Sequence, residues 1–126
     1  MEWKFRSDLP IYAQIVEQFR QSIVSGKLSP GQLLESVRDL SMEAGVNPNT
    51  MQRALQELER EGLVYTQRTA GRFVSEDAAV IERGKRAMAM EKIREFLSAM
   101  NSLGYSREEI LSLLSEEKEE ENNADS

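Results

Sequence analysis

The sequence contains no cysteine and no histidine. Without cysteine the chain has no disulfide framework, no thiolate metal site and no cysteine nucleophile. Without histidine the commonest general base and the main imidazole ligand are missing too. An enzyme would have to be assembled from Asp, Glu, Lys or Ser, in a pocket that 126 residues can hardly enclose. These absences set the expectation of a protein that is not an enzyme, binds no metal and uses no cofactor. Long apolar runs are also lacking. No uninterrupted stretch approaches the roughly 20 residues needed to cross a bilayer, and Met1 to Arg6 lack the apolar centre of a signal peptide. The expectation is a cytoplasmic chain with no membrane partner, its length sufficient for one core and an appendage.

A basic excess is absent as well, and the net charge of −6 argues against a nucleic-acid partner until it is divided along the chain. Residues 1–76 carry nine Lys/Arg against ten Asp/Glu, whereas residues 77–126 carry seven against twelve. Much of the excess lies in Glu116–Ser126, with six acids and one lysine. That composition buries too little apolar surface to order itself and predicts an acidic, disordered tail over 116–126. Overall charge governs solubility and steering rather than a local binding face, so the remainder is judged without the tail.

Residues 1–76 read as three helices and a hairpin. Asp8 is a candidate N-cap and Pro10 a first-turn residue for a helix with Tyr12, Ile15, Val16, Phe19 and Ile23 at helical spacing, closed at Gly26. Trp3 and Phe5 alternate and are expected to pack beside it. After a turn at Leu28–Gly31, Gln32–Leu34 is apolar enough for a brief strand. Ser36 and Asp39 form a capping arrangement for a short helix that closes at Gly45. Asn47 can then cap, and Pro48 start, a third helix with Met51, Ala54, Leu55 and Leu58 on one face. Glu57, Glu59 and Glu61 beside Arg60 read as its solvated end. Leu63–Gln67 and Arg72–Val74 suit two strands joined through Arg68–Gly71.

From Asp77 one long helical stretch carries Ile81, Met88, Met90, Ile93, Phe96, Leu97 and Met100, and stops near Gly104. Ser106 and Glu109 have capping-box spacing before Ile110, Leu111, Leu113 and Leu114. The expectation is a helical hairpin over 77–115. Its apolar content exceeds what two helices bury against each other, which predicts a twofold partner covering Ile93, Phe96, Leu97, Met100, Ile110, Leu113 and Leu114. Methionines here are expected as core or interface filler.

A helix, a short helix, a helix with a polar outer face and then a ribbon is the order of a winged helix-turn-helix. The expected fold class is therefore mainly α with a small β-hairpin wing. On the third helix, Asn49, Thr50, Gln52 and Arg53 have the chemistry for adenine edges, thymine methyls, phosphates and guanine. A polar stripe can equally be a solvated helix face. Its place on the second helix of a tight helix-turn-helix, followed by a hairpin bearing Arg68 and Arg72, favours double-stranded DNA. A winged helix can also bind protein, since the fold alone does not establish function.

The runs Pro10-Ile11-Tyr12, Gly26 to Gly31, Leu34 to Leu40, Gly45 to Thr50, Arg53-Ala54-Leu55, Leu58 to Leu63 and Gly71-Arg72-Phe73-Val74 resemble, in order, the N-terminal domain of the GntR family of bacterial transcription regulators. The C-terminal helix pair resembles the family's small YtrA-like branch. This resemblance implies a homodimeric repressor of an inverted-repeat operator. It places DNA contacts on Arg38, on Asn47, Pro48, Asn49, Thr50 and Gln52, and on the wing at Arg68, Thr69, Gly71 and Arg72. Many members have arginine at the positions of Pro48 and Gln52, so their operator preference does not transfer. Operator, regulated genes and any small-molecule effector are not named by the sequence.

Overall fold

A computed structural model describes the backbone of residues 1–125 and the side chains of residues 1–117. It is mostly helical with one two-stranded antiparallel sheet: α1 (Ile11–Val24), α2 (Val37–Ala44), α3 (Pro48–Arg60), β1 (Val64–Gln67), β2 (Gly71–Val74), α4 (Ala78–Ser102) and α5 (Arg107–Asp125). No helix among the described residues is long and apolar enough to cross a membrane.

The chain forms two compact units, the first ending at Arg86 and the second starting at Ala87. In the first, Ile15, Phe19 and Ile23 of α1, Leu40 of α2, and Met51, Leu55 and Leu58 of α3 meet Leu63, Val64 and Val74 of the hairpin in one core. These positions recur every three or four residues along the helices, and in the hairpin Val64 and its cross-strand partner Val74 are buried at the base of the two strands. Each element therefore buries one face and leaves the other to solvent. Gly84 of α4 lies against Leu63 and Val24, so the opening turns of α4 belong to this unit instead of ending it at residue 76.

Local chemistry explains most of the boundaries. Ser36 Oγ accepts from the Asp39 N–H at 3.1 Å, and Asn47 Oδ1 accepts from the Asn49 N–H at 2.8 Å, so α2 and α3 start where cap residues satisfy their free amides. Gly45 ends α2 at φ +70°, a left-handed conformation that only glycine adopts without strain. Asp77 Oδ1 accepts from the Ala79 N–H at 3.0 Å and starts α4. Ser106 and Glu109 form the reciprocal capping box of α5 at 3.0 and 3.2 Å.

Two expectations are corrected here. Asp8 does not cap α1: it pairs with Arg6 at 2.7 Å, and the helix opens at Pro10 with no side-chain cap. Instead, Gln14 and Gln18, one turn apart, each exchange two hydrogen bonds with the backbone of Arg6 and Lys4 and fasten the N-terminal segment along α1. Trp3 then packs edge-on against Phe19 with ring centres 5.2 Å apart, as its alternation with Phe5 suggested. The second correction is that Gln32–Leu34 makes no full strand. It meets β2 through an isolated bridge, Leu33 opposite Phe73, with the Leu34 N–H donating to the Arg72 carbonyl at 2.9 Å.

The acidic stretch also differs from its composition. Helical backbone of α5 continues through Asp125, because the capping box nucleates a segment rich in good helix formers, Glu, Lys and Leu. Side chains beyond Glu117, and Ser126 altogether, lie outside the described residues.

Candidate nucleic-acid interface

The expected reading surface begins with Arg38 in the first turn of α2 and continues along the N-terminal half of α3. Arg38, Asn47, Pro48 and Asn49 are exposed, while Thr50 and Gln52 are half-buried. Met51, Ala54, Leu55 and Leu58 face the core, so Asn49, Gln52 and Arg53 stand on the opposite side of the same helix. The Asn47 carbonyl oxygen is committed to the cap, which leaves its amide group to donate outward. No acid occupies the first turn of α3, but Pro48 has no N–H and the Asn49 N–H is already taken by the Asn47 cap, so outward donors at this helix start come mainly from side chains. Arg53 sits with its guanidinium carbon 4.8 Å from the centre of the Tyr12 ring, a cation–π contact that ties α3 to α1.

In the wing, Val64 pairs with Val74, Tyr65 with Phe73, Thr66 with Arg72 and Gln67 with Gly71. Alternation puts Val64, Thr66, Arg72 and Val74 on one face, while Tyr65 and Phe73 stack on the other at 5.5 Å. The tip, Arg68–Thr69–Ala70, is exposed with Gly71. Arg72 differs from Arg68: its Nε donates to Glu59 Oε1 at 2.8 Å, and the Thr66 hydroxyl donates to the same oxygen.

Thus the charged end of α3 is not merely solvated. Glu59 holds the wing, and Glu61 takes Arg20 of α1 in a two-point pair, Nε to Oε1 at 2.8 Å and Nη2 to Oε2 at 2.6 Å. Glu57 pairs with its neighbour Arg60. Burial acts to raise the Glu59 carboxyl. The hydrogen bonds from Thr66 and Arg72, with the Arg72 charge, outweigh it and hold the group below the ordinary carboxylate range. The Glu61 hydrogen bond pushes the Arg20 guanidinium above its ordinary value. Sequence reading missed both links because the partners lie 13 and 41 residues apart.

In the second unit, Ile93, Phe96 and Leu114 are exposed at 46, 41 and 50%, and Leu97, Met100 and Leu113 are half-buried. Ile110 is corrected: at 2% exposure it is already covered by the chain itself and offers no surface to a partner. Met90, Leu103, Tyr105 and Leu111 are exposed apolar residues outside the expected set. The three- and four-residue spacing from Met90 through Ile93 and Leu97 to Met100 could have flagged the first of them.

Residues 11–74 match the family model described as bacterial regulatory proteins, gntR family. The chain is 37% identical over 106 residues to the HTH-type transcriptional repressor YtrA of Bacillus subtilis (strain 168), covering 83% of this chain and 82% of that protein. Among solved structures, a GntR family transcriptional regulator from Listeria monocytogenes superposes with a TM-score of 0.81 at 38% identity, over 89% of this chain and 98% of that one. AraR(DBD), solved in complex with operator ORX1, aligns with a TM-score of 0.54 at 31% identity, over 60% of this chain and 96% of that one.

Proposed function

The chain belongs to the gntR family of bacterial regulatory proteins and is a transcriptional regulator with a DNA-binding domain, and from that premise we propose that it is a cytoplasmic homodimeric repressor that occludes a promoter at an inverted-repeat operator. The observation that carries this reading is the α3 surface: a capped, proline-started helix that buries Met51, Ala54, Leu55 and Leu58 and turns Asn49 and Gln52 outward. Asn and Gln make bidentate pairs with adenine in the major groove, and the exposed Arg38 and Arg68 neutralise phosphates on either side. Asn47, Pro48 and Thr50 fix the helix entry, and Thr69 and Gly71 let the wing tip approach the backbone. A relative of similar length is named a repressor, and a related domain is solved on an operator.

Dimerisation is supported by the apolar surface of the second unit, where Ile93, Phe96, Leu97, Met100, Leu113 and Leu114 lie exposed or half-buried. A twofold partner would cover that surface and present two α3 helices to successive major grooves, about 34–36 Å apart. The test is binding of the full chain to duplexes from the DNA upstream of its own operon, measured against salt. A steep loss of affinity with salt, together with preference for an inverted repeat over random duplex, is expected. Salt-insensitive binding, or none, would transfer the fold to a protein-interaction role.

A further inference from the structure

We propose that Glu59 is a positioning residue for the wing: it orients Arg72 so that the outer edge of the guanidinium clasps a DNA backbone phosphate at the flank of the half-site. The inference rests on the DNA-binding reading above and deepens it. Glu59 stands in the last turns of α3, and its two donors are directly opposed across the hairpin, Thr66 on β1 and Arg72 on β2. One carboxylate oxygen therefore ties both strands to the recognition helix, immediately beneath the turn.

How Arg72 is held matters as much as its partner. Arg20 spends its fork on Glu61, with Nε and Nη2 both engaged by the two carboxylate oxygens. Arg72 is gripped only through Nε, by a single oxygen. Among the described residues its Nη1 and Nη2 have no protein acceptor. A guanidinium carries five N–H donors in a rigid plane. Fixing Nε to Glu59 sets that plane, and the outer edge keeps the paired donors that match two phosphate oxygens.

The backbone is pinned too, since the Arg72 carbonyl accepts from the Leu34 N–H at 2.9 Å. With the side chain only 20% exposed, its stem is ordered before any DNA arrives. Little rotamer freedom remains to be lost on binding. Arg68, at the exposed tip, has no such support.

The test measures affinity of the full chain for its selected operator over a salt series, with hydroxyl-radical footprints, for the wild type, Glu59→Ala, Glu59→Gln, Arg72→Ala, Arg72→Lys and Glu59→Ala/Arg72→Ala. Glu59→Ala and Arg72→Ala should each lose affinity by about tenfold and lose protection at the flank while keeping it at the half-site centre. The double variant should bind no worse than Arg72→Ala alone. Glu59→Gln keeps an acceptor oxygen and should restore flank protection. Arg72→Lys keeps the charge without the fork and should lose flank protection relative to the wild type, a result that does not require either alanine variant to fold.

Additive losses in the double variant would overturn the proposal. So would Arg72→Lys binding like the wild type, Arg72→Ala with its flank protection intact, or Glu59→Ala that binds more tightly. Wild-type protein with no sequence preference would instead overturn the DNA-binding reading itself.

Discussion

At the scale of single residues, base readout and phosphate contact are separable by measurement. Asn49→Ala or Gln52→Ala should cost about 1–3 kcal/mol on the cognate operator and relax its sequence preference. Equal weakening on cognate and random duplex would move those residues to the backbone class. Arg38→Ala should weaken all duplexes alike and lower the salt slope by about 1, as one phosphate contact removed. An unchanged slope would take Arg38 off the phosphate surface. The outward set on α3 was legible in the sequence because a 3.6-residue period assigns faces without knowledge of the rest of the chain. What Glu59 and Glu61 do was not. A run of alternating charge says nothing about which neighbours a later hairpin and an earlier helix bring to it, and here those neighbours are Arg72 and Arg20.

At the scale of elements, helix ends carry the register of the reading surface. Asn47→Ala removes the acceptor for the Asn49 N–H and should destabilise the first unit by about 0.5–2 kcal/mol, with Asn47→Asp close to the wild type in thermal melts. Gly45 has open space around an added Cβ but a φ of +70°. Gly45→Ala should therefore cost about 1–2 kcal/mol through backbone strain alone. A neutral result in either case would mean that the turn between α2 and α3 relaxes freely.

The wing link has a definite pH dependence. The folded-state value of Glu59 lies below its unfolded value, so the contribution is complete above the unfolded value and lost as pH falls through the lower folded one. Flank protection should then be constant from about pH 8 down to about pH 5.5, above the ordinary carboxylate range. Loss of protection inside that window would remove Glu59 from the account. Capped starts at Ser36, Asn47 and Ser106 were readable because a cap is a local motif. The start of α1 was not, since Arg6 competes for Asp8 and the Gln14 and Gln18 side chains fasten the preceding segment instead.

At the scale of the whole molecule, the proposed reading of an inverted repeat takes two copies of the chain. Leu97→Glu puts a charge into the proposed twofold contact, and sedimentation should show monomers whose affinity for a full operator falls towards that of a half-site. A Leu97→Glu protein that stays dimeric would move the contact elsewhere. The apolar excess of the second unit was visible in composition, but its partition was not. Ile110 is covered within the chain while Leu103 and Leu111 are exposed, a distinction set by packing rather than by residue type.

The proposed function has paired copies of α3 reading DNA sequence in twofold symmetry. Selection of binding sites from a random-sequence duplex library by the full chain tests it most directly. The expected result is enrichment of an inverted repeat whose half-site centres lie about 10–10.5 base pairs, or a multiple of that, apart, and the enrichment should be lost with Asn49→Ala/Gln52→Ala. Recovery of sequences no different from the starting library, or of a single unrepeated site, would contradict it.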